Sequence, residues 1–398
     1  MATSGQQTSA TRMARREVPF YRPDIGEEEI AAVVETMRSG WLTIGPRTQE
    51  FERAFARAVG AAHAVAVSSC TAALHLALDA LDLQPGDEVI TSTLTFTATG
   101  ASVVHAGGRL ILADVTPDTL NLDPVDVARK ITPRTRAIVP VHFAGHPAAM
   151  DELLAIARQH GLTVIEDAAH SLPAGYHGRA VGTIGDMTAF SFYATKNLTT
   201  GEGGMVTLAD GALAERLQTR RLHGMTRDAW RRYSREGAWR YDVAHLGFKY
   251  NMTDMAAAMG LVQLRRLPAL HRRRCEIAAL YTALLSDVPE VELPATRPEV
   301  EHAWHLYVVR LRPERLRLHR DAVIEELRAA GVGTGVHFIP LHLLSYYAET
   351  CDCRPADLPV ASAAAETIIS LPLFTLLSDD DVRYVAMTLR DVLRANRR

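Results

Sequence analysis

Residues 191–204 read SFYATKNLTTGEGG, and this segment places one lysine between an apolar strand and a glycine-rich turn. The 398-residue chain has 43 lysine and arginine residues, of which only Lys130, Lys196 and Lys249 are lysines. An amine can lose its proton near neutral pH and attack a carbonyl group, whereas a guanidinium cannot. Because the active groups of α/β sheets lie just past strand ends, we interpret Lys196 as a Schiff-base nucleophile instead of an ordinary surface lysine.

Strand and helix patterns alternate along most of the chain. Short apolar strands are predicted at residues 64–67, 88–91, 110–113, 137–141, 162–165, 187–193 and 205–208. Segments with helical periodicity separate most of these strands. Alternation of this kind predicts an α/β fold in which a mainly parallel sheet is covered by helices on both faces.

The pattern changes after about residue 289 to an α+β mixture, which predicts a second, smaller domain. Its strands are predicted at residues 304–311 and 335–338, with a helix at residues 321–330. The polar and aromatic segment 226–241 is long for a connection without structure of its own, and long loops are often functional.

The boundaries of the domains follow from these patterns. Residues 1–16 are polar and are expected to form a disordered tail, residues 17–265 a large domain, and residues 266–398 a small C-terminal domain. A long helix is expected from Leu261 onward, and its arginines at 272–274 are expected on the solvated face.

Composition excludes several classes of protein. With 47% hydrophobic residues, 22% charged residues and a net charge of -3, the chain is typical of soluble globular proteins, and neither nucleic acid nor an anionic membrane is an expected partner. No apolar run is long enough for a signal peptide or a membrane span, so we expect a cytoplasmic protein. The four cysteines are too few for a disulfide framework, and Cys351 and Cys353 lack a second ligand pair for zinc, so no metal site is predicted.

Residues 68–71 read SSCT and connect a predicted strand to a predicted helix. Free backbone N–H groups and the positive end of the helix dipole make such a junction a phosphate-binding site. The plainer interpretation is a helix cap by Ser69 or Thr71, which many helices have.

Two further side chains follow strands at the edge of the sheet that carries Lys196. Asp167 comes after the strand at 162–165, where a carboxylate can hold a heteroaromatic nitrogen protonated, or can simply cap a helix or form a surface ion pair. Phe96 can lie flat on an aromatic ring or be an ordinary core residue. An amine, a carboxylate, an aromatic ring and a phosphate cradle together describe a site for pyridoxal 5'-phosphate (PLP).

Seven motifs spread between about Pro19 and Leu393 resemble one known family. They lie at residues 41–46, 69–76, 86–90, 132–135, 166–170, 191–204 and 370–373. The family is the DegT/DnrJ/EryC1/StrS group of sugar aminotransferases, which are PLP-dependent transferases of fold type I. The resemblance implies a large domain with a mainly parallel seven-stranded sheet, plus a smaller α+β C-terminal domain.

The resemblance also implies a role for each residue that matches a family motif. Lys196 is then the Schiff-base lysine and the base for the 1,3-proton shift, and Asp167 holds the ring nitrogen. His170 approaches the phenolic oxygen of the cofactor ring, and Phe96 stacks on that ring. The residues that hold the phosphate are Cys70, Thr71 and Ser191.

The chain departs from the family pattern at two places. Many members have glycine at the position of Cys70, and many have an Asn-x-Arg pattern where this chain has Lys249-Tyr250-Asn251. The resemblance implies that Lys249 or Asn251 reaches the cofactor phosphate of the partner subunit. The protein is therefore expected to be a homodimer with shared active sites.

The substrates are implied in the same way. The residues expected to contact substrate are Trp41, His337 and His342, each of which has a plainer role in packing or on the surface. The Lys249-Tyr250-Asn251 variant, together with His170 and the segments 302–305 and 333–338, resembles the enzymes that make UDP-4-amino-4-deoxy-L-arabinose, for which L-glutamate is the amino donor. The predicted acceptor is a nucleotide-linked 4-keto sugar, either a UDP-4-keto-pentose or a dTDP-4-keto-6-deoxyhexose.

Alternative functions stay open at this point. The acceptor can instead be a 3-keto sugar or a keto-cyclitol, and the protein can also be a PLP-binding regulator without turnover. A PLP-dependent sugar dehydratase of the same fold is disfavoured, because such relatives resemble this family with histidine at the position of Lys196.

Overall fold

The computed structural model describes residues 16–225 and 242–398. The tail predicted at residues 1–16 lies outside the described residues except for Arg16, which donates hydrogen bonds to Asp381. The polar connection at 226–241 lies outside them as well. No helix within the described ranges is both long enough and apolar enough to cross a membrane.

Strands and helices alternate through the first two thirds of the chain. In the described residues the strands are β1 (His63–Val67), β2 (Glu88–Ser92), β3 (Arg109–Ala113), β4 (Thr135–Val139), β5 (Thr163–Asp167), β6 (Gly175–Tyr176), β7 (Arg179–Ala180), β8 (Met187–Ser191), β9 (Gly204–Leu208), β10 (Val291–Glu292), β11 (Val300–Glu301), β12 (Tyr307–Leu311) and β13 (Ile368–Leu371). The helices are α1 (Glu27–Arg38), α2 (Pro46–Val59), α3 (Cys70–Asp79), α4 (Thr97–His105), α5 (Pro124–Lys130), α6 (Met150–His160), α7 (Gly211–Arg220), α8 (Asp254–Leu285), α9 (Arg320–Ala329), α10 (Ser345–Thr350), α11 (Pro359–Ala365) and α12 (Asp379–Ala395).

Seven strands form one sheet in the order β1-β9-β8-β5-β4-β2-β3. The strands from β8 to β3 pair in parallel, whereas β9 is antiparallel to both of its neighbours, β1 and β8. This arrangement confirms the predicted α/β fold with a mainly parallel seven-stranded sheet. The carboxyl ends of β1, β2, β4, β5 and β8 therefore meet at one edge of the sheet, and β9 begins there.

Local sequence signals account for the helices beside the sheet. Pro46 occupies the first turn of α2, and Gly60 ends that helix with a φ of 77°, which glycine adopts without strain. Phe51 and Phe55 on the buried face of α2 pack against Phe192 with ring centroids 5.4 Å apart in both pairs. The apolar face of α2 thus covers one side of the sheet.

The small domain is built on a second, three-stranded sheet, β10-β12-β13, which is antiparallel and packs with α9 and α12. Val18, near the start of the described residues, belongs to this core and pairs with Val332. Helix α8 joins both parts, because Leu267 packs in the core of the large sheet and Tyr281 in the core of the small domain. The boundary predicted at residues 265 and 266 therefore falls inside one continuous helix.

The strand predicted at residues 335–338 is not formed. Only Gly335 exchanges backbone hydrogen bonds with Ser370 of β13. The chain then leaves the sheet edge, and the His337 ring bonds the Ser370 hydroxyl while Phe338 packs beside His170. These contacts of the His337 and Phe338 side chains outweigh the local preference of residues 335–338 for a strand.

Arg274 is also placed differently from the prediction, which put it on the solvated face of α8. Its guanidinium is buried and donates hydrogen bonds to the carbonyl groups of Trp304, His305 and Leu373. The charge pattern of a helix shows its solvated face only where no neighbouring loop covers it, and here residues 304–305 cover α8.

Candidate active site

Lys196 lies in the turn that follows β8, at the edge where the parallel strands end. Its backbone N–H donates to the Tyr193 carbonyl at 2.9 Å, which closes the turn. The side chain is partly buried, and burial lowers the pKa of the amine to about 8, against the opposing effects of Cys70 and Asp167. The neutral, nucleophilic amine is therefore much easier to form near pH 7 than in an ordinary lysine.

Asp167 is the last residue of β5, the strand next to β8. Its carboxylate is buried and accepts hydrogen bonds from the Thr99 hydroxyl at 2.7 Å and from the Ala169 N–H at 3.1 Å. Burial raises the pKa of Asp167, although these hydrogen bonds and Lys196 oppose the rise. A buried carboxylate of this kind gains most from a cationic partner placed directly against it.

The first turn of α3 packs tightly against the start of β9. Ser69 is the N-cap, and its hydroxyl accepts from the Ala72 N–H at 3.1 Å, as the capping interpretation predicts. A Cβ atom at Gly204 would lie only 2.6 Å from the Ser69 carbonyl carbon and 2.8 Å from the Cys70 nitrogen. Glycine at 204 therefore allows the open N–H groups of this turn to lie at the edge that carries Lys196.

The structure brings the three predicted phosphate residues to this turn and to the end of β8. Cys70 is partly buried, and its thiol lies 3.8 Å from the Ala189 carbonyl of β8. Thr71 is exposed on the first turn of α3. Ser191 ends β8, and its hydroxyl accepts from the Tyr193 N–H at 3.4 Å.

Aromatic and imidazole rings form one wall of the site. The His170 ring packs against His305 with centroids 4.4 Å apart and stacks on Phe338 at 5.7 Å. Phe96 lies 5.8 Å from Phe338 and is 58% exposed, so one face of its ring is open. Burial and the positive charge of Lys196 hold the pKa values of His170 and His305 well below the usual range. Both rings are therefore neutral.

The segment predicted to reach a partner subunit lies beside the phosphate turn of its own chain. The Ser68 N–H donates to the Tyr250 carbonyl at 2.7 Å, and Val67 pairs with Asn251. Lys249 is exposed, and its amine donates to the Asn251 side chain. The proximity of both residues to the turn is thus a property of the single chain, and their reach into a second subunit stays a prediction.

Of the three residues predicted to contact substrate, His337 lies near Lys196, whereas Trp41 packs on its own loop. The His337 ring, whose pKa burial lowers to about 4, lies near the wall formed by Phe338 and is close enough to Lys196 to feel its charge. Trp41 folds over its own loop, and its Nε1 donates to the Ile44 carbonyl at 3.1 Å. Its role toward substrate stays a prediction.

His342 does not fit its predicted role in substrate binding. It is buried, and its two ring nitrogens contact the hydroxyl groups of Thr93 at 2.7 Å and Ser362 at 2.9 Å. With both nitrogens engaged, we interpret His342 as a structural residue. Its distance of five residues from His337 gave no indication of this, because both partners come from remote segments.

Sequence reasoning missed the residues that support the site from below. Thr99 holds Asp167, and a fully buried pair, His142 and Glu166, joins at 2.8 Å directly behind it. Burial alone would raise the pKa of Glu166, but hydrogen bonds from His142, Gly185 and Thr188 hold it below its usual value. The one available signal was that Glu166 precedes Asp167 in a strand that is otherwise apolar.

These residues fit the cofactor that the sequence predicts. PLP carries an aldehyde, a ring nitrogen, a phenolic oxygen and a phosphate, and the site offers an amine, a buried carboxylate and the first turn of a helix. The Nδ1 atom of His170 is buried and has no hydrogen-bond partner among the described residues. Because a buried polar atom is costly to leave unpaired, this nitrogen matches the phenolic oxygen of the ring.

Comparison with known proteins gives matches along nearly the whole chain. The profile of the DegT/DnrJ/EryC1/StrS aminotransferase family matches residues 23–390. The spore coat polysaccharide biosynthesis protein SpsC of Bacillus subtilis (strain 168) is 48% identical over 378 residues, which cover 95% of this chain and 97% of SpsC.

Solved structures with the same fold include two from other bacteria. Spr1654 from Streptococcus pneumoniae, in its PLP form, has a TM-score of 0.89 and 35% identity, covering 96% of this chain and 99% of that one. PseC from Helicobacter pylori, an aminotransferase involved in the biosynthesis of pseudoaminic acid, has a TM-score of 0.89 and 27% identity, covering 96% of this chain and all of PseC (100%).

Proposed function

Because the chain belongs to the DegT/DnrJ/EryC1/StrS aminotransferase family and is a PLP-dependent sugar aminotransferase, we propose that it transfers the amino group of L-glutamate to a nucleotide-linked 4-keto sugar. The observation that carries the proposal is the meeting of Lys196, Asp167 and the unbonded Nδ1 atom of His170 at one sheet edge. In the reaction glutamate becomes 2-oxoglutarate, and the keto group of the sugar becomes an amine.

PLP supplies the electron sink for this chemistry when it is bound. Lys196 would hold the cofactor covalently through its Nζ atom, and its amine would serve as the base that moves the proton. Asp167 would keep the ring nitrogen protonated, and its own orientation is held by Thr99. The neutral His170 would form a hydrogen bond at the ring oxygen without adding charge.

The surroundings of Lys196 support proton transfer by an amine. The ring wall of His170, His305 and His337 carries no positive charge near pH 7, because burial lowers all three pKa values. Protonated histidines here would repel the ammonium and the cationic ring nitrogen. The neutral wall leaves Lys196 as the group at this edge that exchanges a proton near pH 7.

The acceptor is the less specific part of the proposal. SpsC takes part in spore coat polysaccharide biosynthesis and PseC in pseudoaminic acid biosynthesis, which supports a sugar as acceptor. The nucleotide and the 4-keto position rest on the resemblance of His170 and of residues 302–305 and 333–338. A 3-keto sugar or a keto-cyclitol is the alternative acceptor for the same site.

The test is a mass-spectrometric assay of the purified protein with PLP and L-glutamate against UDP- and dTDP-linked 4-keto and 3-keto sugars. We expect from one 4-keto compound an amine product in which a hydrogen atom and an NH2 group replace the keto oxygen, so that it is heavier than the keto sugar by the difference between NH3 and O. A product only from a 3-keto sugar would correct the position of the keto group. If glutamate is consumed without any sugar product, the nucleotide-sugar proposal fails and a keto-cyclitol becomes the acceptor to test.

We also propose a homodimer in which Lys249 or Asn251 of one subunit contacts the phosphate in the other. The proposal is supported by the exposure of Lys249 and by the resemblance of residues 249–251 to the family segment that reaches the partner's phosphate. Mixing Lys196→Ala chains with Asn251→Ala chains tests it, since a mixed dimer with shared sites has one site free of both changes. We expect the two inactive variants to regain activity on mixing. No regain, with mixed dimers present by native mass spectrometry, would show that each site belongs to one chain.

A further inference from the structure

We propose that His305 is a positioning residue for Lys196. Asn197 fixes the imidazole proton of His305 on Nδ1, so that the unprotonated Nε2 atom faces the lysine amine. The inference rests on the proposed function in one respect, because it assigns to Lys196 the proton transfer described above. It adds to that mechanism a role for His305, which the sequence singled out only as part of the segment 302–305.

The tautomer of His305 follows from the amide of Asn197. The Asn197 Nδ2 atom donates to the Ala303 carbonyl at 2.8 Å, which fixes the amide so that its oxygen points the other way. That oxygen lies 3.2 Å from Nδ1 of His305. An amide oxygen only accepts, so Nδ1 must carry the proton of the neutral ring and Nε2 must carry a lone pair.

The lone pair of Nε2 is directed at Lys196. The Nε2 atom lies 3.5 Å from the Lys196 Nζ atom, at the long end of the hydrogen-bond range. A ring nitrogen without a proton accepts a hydrogen bond from an N–H of the amine. The lone pair of the amine then stays free for attack on carbon or for proton transfer. The opposite tautomer would donate to that lone pair and block it. The Nδ1-protonated form is thus the one that keeps Lys196 reactive.

The rest of the His305 environment holds the ring in place. Arg274, buried beneath the loop, donates to the carbonyl groups of Trp304 and His305, and the His170 ring covers one face at 4.4 Å. The groups that act on His305 are Lys196, His170, Arg274 and His337, and those that act on Lys196 include Cys70 and Asp167. His305 stays neutral among them, since burial and then the charge of Lys196 lower its pKa well below the usual range.

The first experiment uses the cofactor-free protein and needs no sugar. An amine-reactive reagent is applied across the pH range, and peptide mapping follows Lys196 separately from Lys130, which serves as the internal reference. His305→Phe removes the acceptor nitrogen, and Asn197→Leu removes the amide that fixes the tautomer of His305. The ammonium of Lys196 then loses a hydrogen-bond acceptor, so we expect the pH midpoint of Lys196 modification to fall by about 0.5 pH units or more. Modification at pH 7 then becomes about threefold faster.

The second experiment measures the half-reaction of the PLP-loaded protein with L-glutamate. We expect kcat to fall about tenfold in both variants, since the amine is no longer aimed, with little change in the KM for glutamate. A faster chemical modification together with a slower turnover is a combination that general loosening of the fold does not produce. His305→Gln places an amide oxygen near the Nε2 position and is expected to recover part of both properties.

His302→Phe is the matched control, because His302 is buried in the same loop, stacks on Trp304 at 3.9 Å and has His146 and His271, not Lys196, as its titratable neighbours. It should leave the Lys196 midpoint unchanged. An unchanged midpoint in both His305→Phe and Asn197→Leu, or an equal shift in His302→Phe, overturns the proposal. Either result is distinct from failure of the proposed function, which appears only in the sugar assay.

Discussion

We expect Lys196→Ala to lower transamination by about 10⁴-fold or more, because one side chain provides both covalent attachment of the cofactor and proton transfer between carbons. Lys196→Arg is the matched variant, since it keeps the positive charge but cannot lose a proton in this pH range. It should be as inactive as alanine. The measurement is the single-turnover rate with L-glutamate, and full activity in either variant would remove Lys196 from the mechanism.

Lys196→Ala also has a defined effect on stability, and measuring that effect separates loss of chemistry from loss of fold. The pKa of Lys196 is lowered from 10.5 to about 8 in the folded chain, so between these pH values the unfolded chain holds a proton that the folded chain has released. The free energy of unfolding therefore rises with pH through this window, and below it the partly buried ammonium costs at most about 3 kcal/mol.

Lys196→Ala removes this cost together with some packing of the side chain. We expect the Tm of the cofactor-free variant at pH 7 to stay within about 4 °C of the wild type. The variant should also lack the rise in stability between pH 8 and 10.5 that the wild type shows. Thermal melts at several pH values measure both. A large fall in Tm at pH 7 would mean that the lysine supports the fold, and the activity result would then need the arginine variant alone.

Asp167→Ala is the second change with a large expected effect. The buried carboxylate is placed to pair with the protonated ring nitrogen, and removing one partner of a buried ion pair costs about 3–5 kcal/mol. If that interaction strengthens as charge develops in the ring, turnover falls by about 10²- to 10³-fold. The readouts are kcat for the glutamate half-reaction and the dissociation constant of PLP.

Two matched variants separate charge from shape at this position. Asp167→Asn keeps the size of the side chain and an acceptor for the Thr99 hydroxyl, but it has no negative charge, so it should be nearly as slow as alanine. Thr99→Val keeps the carboxylate, which loses one hydrogen bond, and also removes the bond between the Thr95 and Thr99 hydroxyl groups, so its effect should be about tenfold or less. An Asp167→Asn enzyme with the wild-type rate would show that the carboxylate does not pair with the ring.

The residues that sequence reasoning identified share one property: their role follows from a strand end. Lys196 and Asp167 each come within three residues of the end of an apolar run, and parallel strands bring such positions to the same edge whatever the rest of the chain does. The turn at Ser69 that begins α3 was predictable for the same reason, and its role toward a phosphate stays a prediction. The α/β fold class followed from alternation alone, whereas the order of the strands in the sheet was not predicted.

The residues that were missed or misplaced depend on segments that are far apart in the chain. His305 and His342 look alike in the sequence, yet one faces Lys196 and the other is held between Thr93 and Ser362. Arg274 was placed in solvent because the loop that covers it begins thirty residues later. No local pattern records which loop lies over which helix, so these assignments require the tertiary structure.

Helix α8 has a mechanical consequence for the site. Lys196 and Asp167 are attached to the seven-stranded sheet, whereas Arg274 of α8 holds the loop that carries His305. Pro268 lies inside this helix, between the part that packs on the large sheet and the part that packs on the small domain. A proline lacks the N–H that would bond the preceding turn, so it is the point of lowest bending stiffness. The gap between the lysine and the imidazole therefore depends on the curvature of this helix as well as on the hydrogen bonds that Asn197 makes to the same loop.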